Sequence, residues 1–254
     1  MGRGLVESSV RRKKMQACGA CRVALYASRA EQREDWPRHR LVCPHLAAVR
    51  RYTKQEMLAS FRPPTDERRV AKVSDGDTLR VAPSKQDGKQ SDSVRFDGVD
   101  TPEIHHAQFE VPRKWALSGQ PLGDVASLFI KTLARQGAPT LLAHKPGERE
   151  DKYGRLVADV WVRLASDSSW VWLQEALLAA GLAHRYADYD KRAYASGGSE
   201  KARVLHLDAL AQEARAARRG VWCQSHEPMT PAAWRRAAPR ERGRELARYH
   251  PCSD

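Results

Sequence analysis

Four carboxylates and two arginines stand at spacings that suit phosphate chemistry. Asp75 and Asp77 lie in a Ser74-Asp75-Gly76-Asp77 turn, and Asp100 and Glu103 flank Thr101-Pro102. Hard oxygen ligands gathered on turns are what Ca²⁺ or Mg²⁺ requires. Arg95 precedes Asp100, and Arg155 closes Asp151-Lys152-Tyr153-Gly154-Arg155. Phosphodiester hydrolysis needs a cation to neutralise developing charge, donors on the non-bridging oxygens, and a carboxylate to steer the proton of the attacking water. Arginine suits the second task because its planar fork grips two oxygens at once. Taken singly, an acidic turn is only a turn, since Asp and Gly favour turns anyway. Taken together, the set supplies one group for each task.

A second constellation lies upstream. Cys18-x₂-Cys21 and His39-x₃-Cys43 offer three thiolates and one imidazole at a spacing suited to tetrahedral Zn²⁺. The plain alternative is two unrelated buried thiols and a surface histidine. Structural zinc also explains how a short segment with little apolar content folds at all. Five cysteines, three of them clustered, fit a metal site better than a disulfide framework.

These residues need elements to hold them. From Arg69 the pattern turns to β, with Val70, Val73, Leu79 and Val81 alternating on either side of the Asp75-Gly76 turn. Further strands are expected over Ser93–Asp97, Thr140–His144 and Leu156–Val162. Asp124 reads as the cap of a helix through Gln136, with Val125, Leu128, Phe129 and Leu133 on one face. Residues 170–182 read as a second helix that Gly181 stops. A loop over Ala195–Ser199 leads to a third helix ending near Arg219-Gly220. Residues 223–254 read as an irregular, Arg-rich, Pro-interrupted tail. The sum is a mainly β fold with α: a five-stranded Greek-key barrel of the OB type with about three helices and a small N-terminal zinc-bound finger. The divisions are a basic N-terminus over 1–16, the finger over 17–46, a short helix and Pro63-Pro64 linker over 47–68, the barrel over 69–222, and a basic tail over 223–254.

Val73-Ser74-Asp75-Gly76-Asp77-Thr78, Val94-Arg95-Phe96-Asp97-Gly98-Val99-Asp100-Thr101-Pro102-Glu103 and Asp151-Lys152-Tyr153-Gly154-Arg155 resemble, in order, the three signature blocks of staphylococcal-type nucleases. The resemblance runs from about Arg69 to Trp222. It implies that Asp77, Asp100 and the Thr101 carbonyl hold one catalytic Ca²⁺. It further implies that Glu103 acts as general base, and that Arg95 and Arg155 contact the scissile phosphate. The implied reaction is cleavage of DNA or RNA, endonucleolytic and leaving 3′-phosphates. Asp75 falls in the signature with a supporting role, and Tyr186 stands about one residue from the family's substrate-side tyrosine. His105 and His106 sit in a longer stretch ahead of Asp151 and read as exposed loop residues.

The stretch Tyr26–Cys43 resembles the C-terminal half of a MYND zinc finger. That family carries seven cysteines and one histidine on two interleaved zincs. Here two ligand positions hold Ala27 and Glu31, and residues 1–17 contain neither Cys nor His. All of these losses fall on one site. Cys18, Cys21, His39 and Cys43 form the other, so the resemblance implies a reduced finger with one Zn²⁺ and a protein partner for it.

The formal charge is +13, and the first 69 residues hold 16 Lys+Arg against 7 Asp+Glu. Such a chain attracts phosphate backbones or acidic surfaces. Arg11-Arg12-Lys13-Lys14 reads as a solvated run. No stretch approaches the roughly 20 apolar residues of a spanning helix, and the N-terminus lacks a secretory pattern. The expectation is an intracellular nuclease acting on nucleic acid and not on membranes. The rival reading is a catalytically silent module that binds nucleic acid or protein through barrel and finger. A pure binder has no need of the full Asp/Arg/Glu set.

Overall fold

A computed structural model describes residues 15–83, 91–104, 119–147, 149–186 and 197–250. The finger opens the chain. Strands β1 (Gln16–Ala17) and β2 (Leu25–Tyr26) pair across the Cys18-x₂-Cys21 turn. Helices α1 (Arg29–His39) and α2 (Cys43–Ala47) follow. Ser28 caps α1 by accepting from the Glu31 amide, and the Glu31 carboxylate receives the Ala27 N–H in return. The two residues that stand at lost ligand positions thus hold the start of the helix.

The barrel is built from β3 (Asp66–Asp75), β4 (Thr78–Val81), β5 (Asp92–Phe96), β7 (Pro139–His144) and β8 (Leu156–Arg163). Their order is β5-β4-β3-β7-β8. A parallel pairing of Val94 with Leu156 and Phe96 with Ala158 closes the ring. Closure leaves these five strands no open edge. A further strand, β9 (Trp170–Trp172), extends β8. Val70, Val73, Leu79, Val81, Val94 and Phe96 all point inward and are buried. The alternation in the sequence is therefore the alternation of the barrel wall.

Helices cover the ends. Helix α4 (Gly123–Leu133) buries Phe129, Ile130 and Leu133. Helix α5 (Leu173–Ala179) packs on α6 (Gly198–Ala216). The short strands β6 (Val99–Asp100) and β10 (His184–Arg185) pair beside the barrel. Gly181, at φ 68°, ends the α5 segment; its backbone lies so close to Arg219 that a Cβ would meet that carbonyl at 2.2 Å.

Finger and barrel share one apolar core, in which Cys18, Val42 and Leu46 join Met57, Val70 and Trp161. The segment between them is pinned rather than slack. Tyr52 exchanges two 2.8 Å backbone hydrogen bonds with Trp170, and its hydroxyl donates to the buried Glu175. Helix α3 (Lys54–Leu58) follows behind a Thr53 capping box. Arg51 donates to the Cys21 carbonyl and pairs with Asp167 across the junction. Arg62 then enters a buried ionic knot with Asp97, Asp159, Glu200 and Arg203.

Three expectations are corrected. Residues 170–172 are strand, because Trp170, Val171 and Trp172 pair with Arg163, Val162 and Trp161; the helix begins only at Leu173. Asp124 lies inside the first turn of α4, whose N-cap is Leu122 in a left-handed conformation with no side-chain bond, and the helix stops at Leu133. The segment read as an irregular tail contains α7 (Pro231–Arg236) and α8 (Pro239–Arg248). Thr230 caps α7 ahead of Pro231, a residue pre-set for the first helical position. The Arg11–Lys14 run, His105 and His106 lie outside the described residues. Among the described residues no helix is long and apolar enough to cross a membrane.

Candidate active site and metal centre

The acidic site forms where three chain segments meet. Asp77 sits in the β3–β4 turn, Arg95 on β5, and Asp100 on β6. Register places Thr78 opposite Arg95, which brings the turn over the strand. Arg95 pairs with Asp77 and reaches Asp100 Oδ1 at 2.6 Å. The other Asp77 oxygen accepts from the Thr101 amide at 2.9 Å. Asp77, Asp100 and Thr101 are all buried, and Thr101 Oγ1 is buried without a hydrogen bond.

Two glycines allow this approach. A Cβ on Gly76 would lie 2.7 Å from Thr101 Oγ1, and one on Gly123 would lie 2.2 Å from the Glu103 carbonyl. Glu103 is thus held by its backbone against the start of α4, with its carbonyl also accepting from the Gln120 amide at 2.8 Å. Its carboxylate pairs with Arg235 and is partly exposed.

The electrostatics mark a surplus of negative charge. Burial raises the Asp75 carboxyl to about 7, and the nearby Asp77 and Glu103 carboxylates add to the shift. Burial alone would also raise Asp77, but Arg95, the Thr101 amide and the Thr78 hydroxyl hold it below the usual range. Four carboxylates gathered within one site, two of them buried, are oxygen donors of the kind a hard divalent cation takes.

Arg155 stands just ahead of β8, whose Leu156 pairs with Val94 beside Arg95. Asp151 binds its guanidinium at 2.7 Å and accepts from the Tyr153 and Arg155 amides, so the loop and the arginine are fixed together. Tyr153 is exposed, with the Arg155 guanidinium 5.4 Å over its ring. Tyr186 donates its backbone N–H to Gly98.

One residue at the site escaped the sequence reading. Arg235, from α7, bonds both Asp100 oxygens, at 3.0 and 3.3 Å, and reaches Glu103 Oε1 at 2.5 Å. The signal that could have found it is the Thr230-Pro231 helix start, followed by Trp234, which is buried.

The finger gathers Cys18, Cys21, His39 and Cys43 with all ligand atoms within 4.8 Å of one another. Cys18 Sγ and Cys43 Sγ are 3.9 Å apart, and Cys21 Sγ and His39 Nε2 are 3.6 Å apart. A tetrahedral zinc puts its sulfur and nitrogen ligands about 3.5–3.8 Å from each other. Burial and the neighbouring thiols push Cys43 up to about 12. Burial alone would raise Cys18 too, but the Cys21 and Ala20 amides outweigh it. Burial lowers His39, which favours the neutral imidazole a metal takes. The spacing and donors fit Zn²⁺.

A closed five-stranded barrel with an acid–arginine site, carrying a four-ligand finger, defines the class. Sequence comparison agrees on both parts: the model of the family described as Staphylococcal nuclease homologue matches residues 93–224, and that of the MYND finger matches residues 7–43. The chain belongs to the staphylococcal nuclease homologue family, with a MYND finger ahead of the barrel. It is 32% identical over 179 residues to endonuclease YncB of Bacillus subtilis, covering 68% of this chain and 72% of that protein. It is 35% identical over 136 residues to the SPbeta prophage-derived endonuclease YokF of the same organism, covering 50% and 40%. It is 38% identical over 94 residues to the thermonuclease of Staphylococcus intermedius, covering 37% and 47%. The family match begins at Ser93, so the Asp77 turn lies ahead of it; the barrel strands bring that turn to the site.

Proposed function

We propose that this chain is a nuclease that hydrolyses phosphodiester bonds of DNA or RNA with one Ca²⁺, cutting internally and leaving 3′-phosphates. The observation that carries this reading is the meeting of Asp77 and Asp100 around Arg95, with Glu103 joined to Asp100 through Arg235. Asp77, Asp100 and the Thr101 carbonyl would hold the ion, which when bound would neutralise charge developing on the phosphate. Glu103, partly exposed, takes the proton of the attacking water. Arg95 and Arg155 donate to the non-bridging oxygens; Asp151 keeps the Arg155 fork turned and its stem ordered before substrate arrives. The names of the relatives, two of them endonucleases and one a thermonuclease, support the same reaction.

One structural Zn²⁺ on Cys18, Cys21, His39 and Cys43 completes the fold. The finger, over residues 17–46, leaves Trp36 and Leu41 exposed, and these offer an apolar contact to a protein partner. The barrel over 69–222 carries the chemistry.

The test is cleavage of labelled single-stranded DNA with Ca²⁺, with EDTA, and by Glu103→Ala and Arg155→Ala. Cutting should require the metal and fall by about 10²–10³ in each variant. No cutting by folded, zinc-loaded protein with any divalent ion would replace this reading with that of a silent binding module.

A further inference from the structure

The site carries one arginine more than its own barrel supplies. We propose that Arg235 is a positioning residue of the nuclease site, which makes the C-terminal helical segment part of the catalytic unit; this rests on the nuclease reading above.

Arg235 bridges the two acids with different duties. One guanidinium nitrogen reaches Asp100 Oδ2 at 3.0 Å, while the other binds Glu103 Oε1 at 2.5 Å. Glu103 is a partly exposed side chain with three rotatable bonds, and such a side chain has one orientation only if something holds it. Its backbone is held by Gln120 and the start of α4; its carboxylate is held by Arg235. The bond uses Oε1.

The arginine is itself delivered by a docked element. Trp234, its neighbour on α7, is buried at 2% exposure. Arg242 of α8 lies over the Trp234 ring at 5.7 Å and donates to its carbonyl at 2.9 Å. Gln120 links the two sides: its carbonyl oxygen accepts from the Glu103 amide, and its amide donates to the Met229 carbonyl. The same side chain therefore fixes the Glu103 backbone and the approach of the segment that fixes the Glu103 carboxylate.

Charge points the same way. Asp75, Asp77, Asp100 and Glu103 are four acids gathered against two arginines, Arg95 and Arg235. Without Arg235 the cluster is over-negative, so it would bind a cation more tightly while letting Glu103 swing.

That opposition supplies the test. Native protein, Arg235→Ala and Arg235→Lys are compared by Ca²⁺ calorimetry and by steady-state cleavage of a single-stranded oligonucleotide. Arg235→Ala should bind Ca²⁺ about tenfold tighter and yet lose about 10- to 100-fold in kcat, with KM for the oligonucleotide little changed. Arg235→Lys should fall between, and added ethylguanidinium should restore part of the Arg235→Ala rate. Tighter Ca²⁺ binding with faster cleavage would overturn the proposal by showing that the segment blocks the site. Weaker Ca²⁺ binding with a lowered melting temperature would overturn it in favour of a structural role. Unchanged kcat would reduce the contact to a surface ion pair. Native protein that binds Ca²⁺ and does not cut overturns the nuclease reading and this proposal together; native protein that cuts while Arg235→Ala cuts equally overturns this proposal alone.

Discussion

Arg203 sits on α6 with 2% of its surface exposed, between Asp159 and Asp97. Its guanidinium also donates to the Asp97 carbonyl at 3.1 Å, so it fixes the backbone between β5 and β6, the two strands that bear Arg95 and Asp100. Removing one partner of a buried ion pair strands the other charge. Arg203→Ala is expected to cost about 3–5 kcal/mol, toward the low end because Arg62 still reaches Asp97 at 3.0 Å. Urea unfolding measures it. The pH dependence has a definite sign. Burial alone would raise Asp97, but Arg203 and Arg62 hold it below the ordinary carboxylate value. A depressed native value means stability that is complete above the unfolded value of about 3.9 and is lost as pH falls toward the native one. Arg203→Ala should therefore move the midpoint of acid unfolding upward. An unmoved midpoint would show that the knot contributes nothing to acid resistance.

Elements set how near the functional groups can come. Glycine at the start of α4 lets the helix touch the Glu103 carbonyl. Gly123→Ala must push one of them aside. A displacement of about 1 Å at a reacting group can cost roughly 100-fold in rate. Gly123→Ala should lose activity on that scale while its Ca²⁺ affinity stays within a few-fold of native, because Asp77 and Asp100 lie on other elements. Parallel calorimetry and kinetics separate the two. Strands β3 and β5 were legible in the sequence because they bury alternate residues and run into Asp-Gly turns. Trp170–Trp172 was misread as helix because an apolar run with no polar alternation fits a buried strand and a buried helix equally. Helices α7 and α8 were missed because their arginine content masked two Thr/Ala-Pro starts. The acid site was legible as residues but not as a set with Arg235, since a contact across 132 positions leaves no local pattern. The Arg62–Asp97–Arg203 knot was hidden for the same reason.

At the scale of the whole molecule, the finger and barrel are joined by shared packing as well as by covalent linkage. Cys18 and Cys43 belong to the same core as Trp161, and Tyr52 ties the intervening segment to β9 and Glu175. A zinc on these four buried ligands would therefore be coupled to a structure much larger than the finger. Binding free energy at a site absent from the unfolded chain is folding free energy. Native mass spectrometry should find one zinc per chain, since Ala27 and Glu31 are exposed and Glu31 is engaged in capping α1. Two zincs would refute the reduced finger. Cys43→Ser, or removal of zinc by a strong chelator, should lower the melting temperature of the whole chain in one transition. The Arg51 and Tyr52 contacts loosen with the finger, and Trp170 and Glu175 lose partners inside the barrel core. Two separate transitions, with the upper one unchanged by zinc, would show instead that the barrel does not depend on the finger and that the shared core contributes little to either.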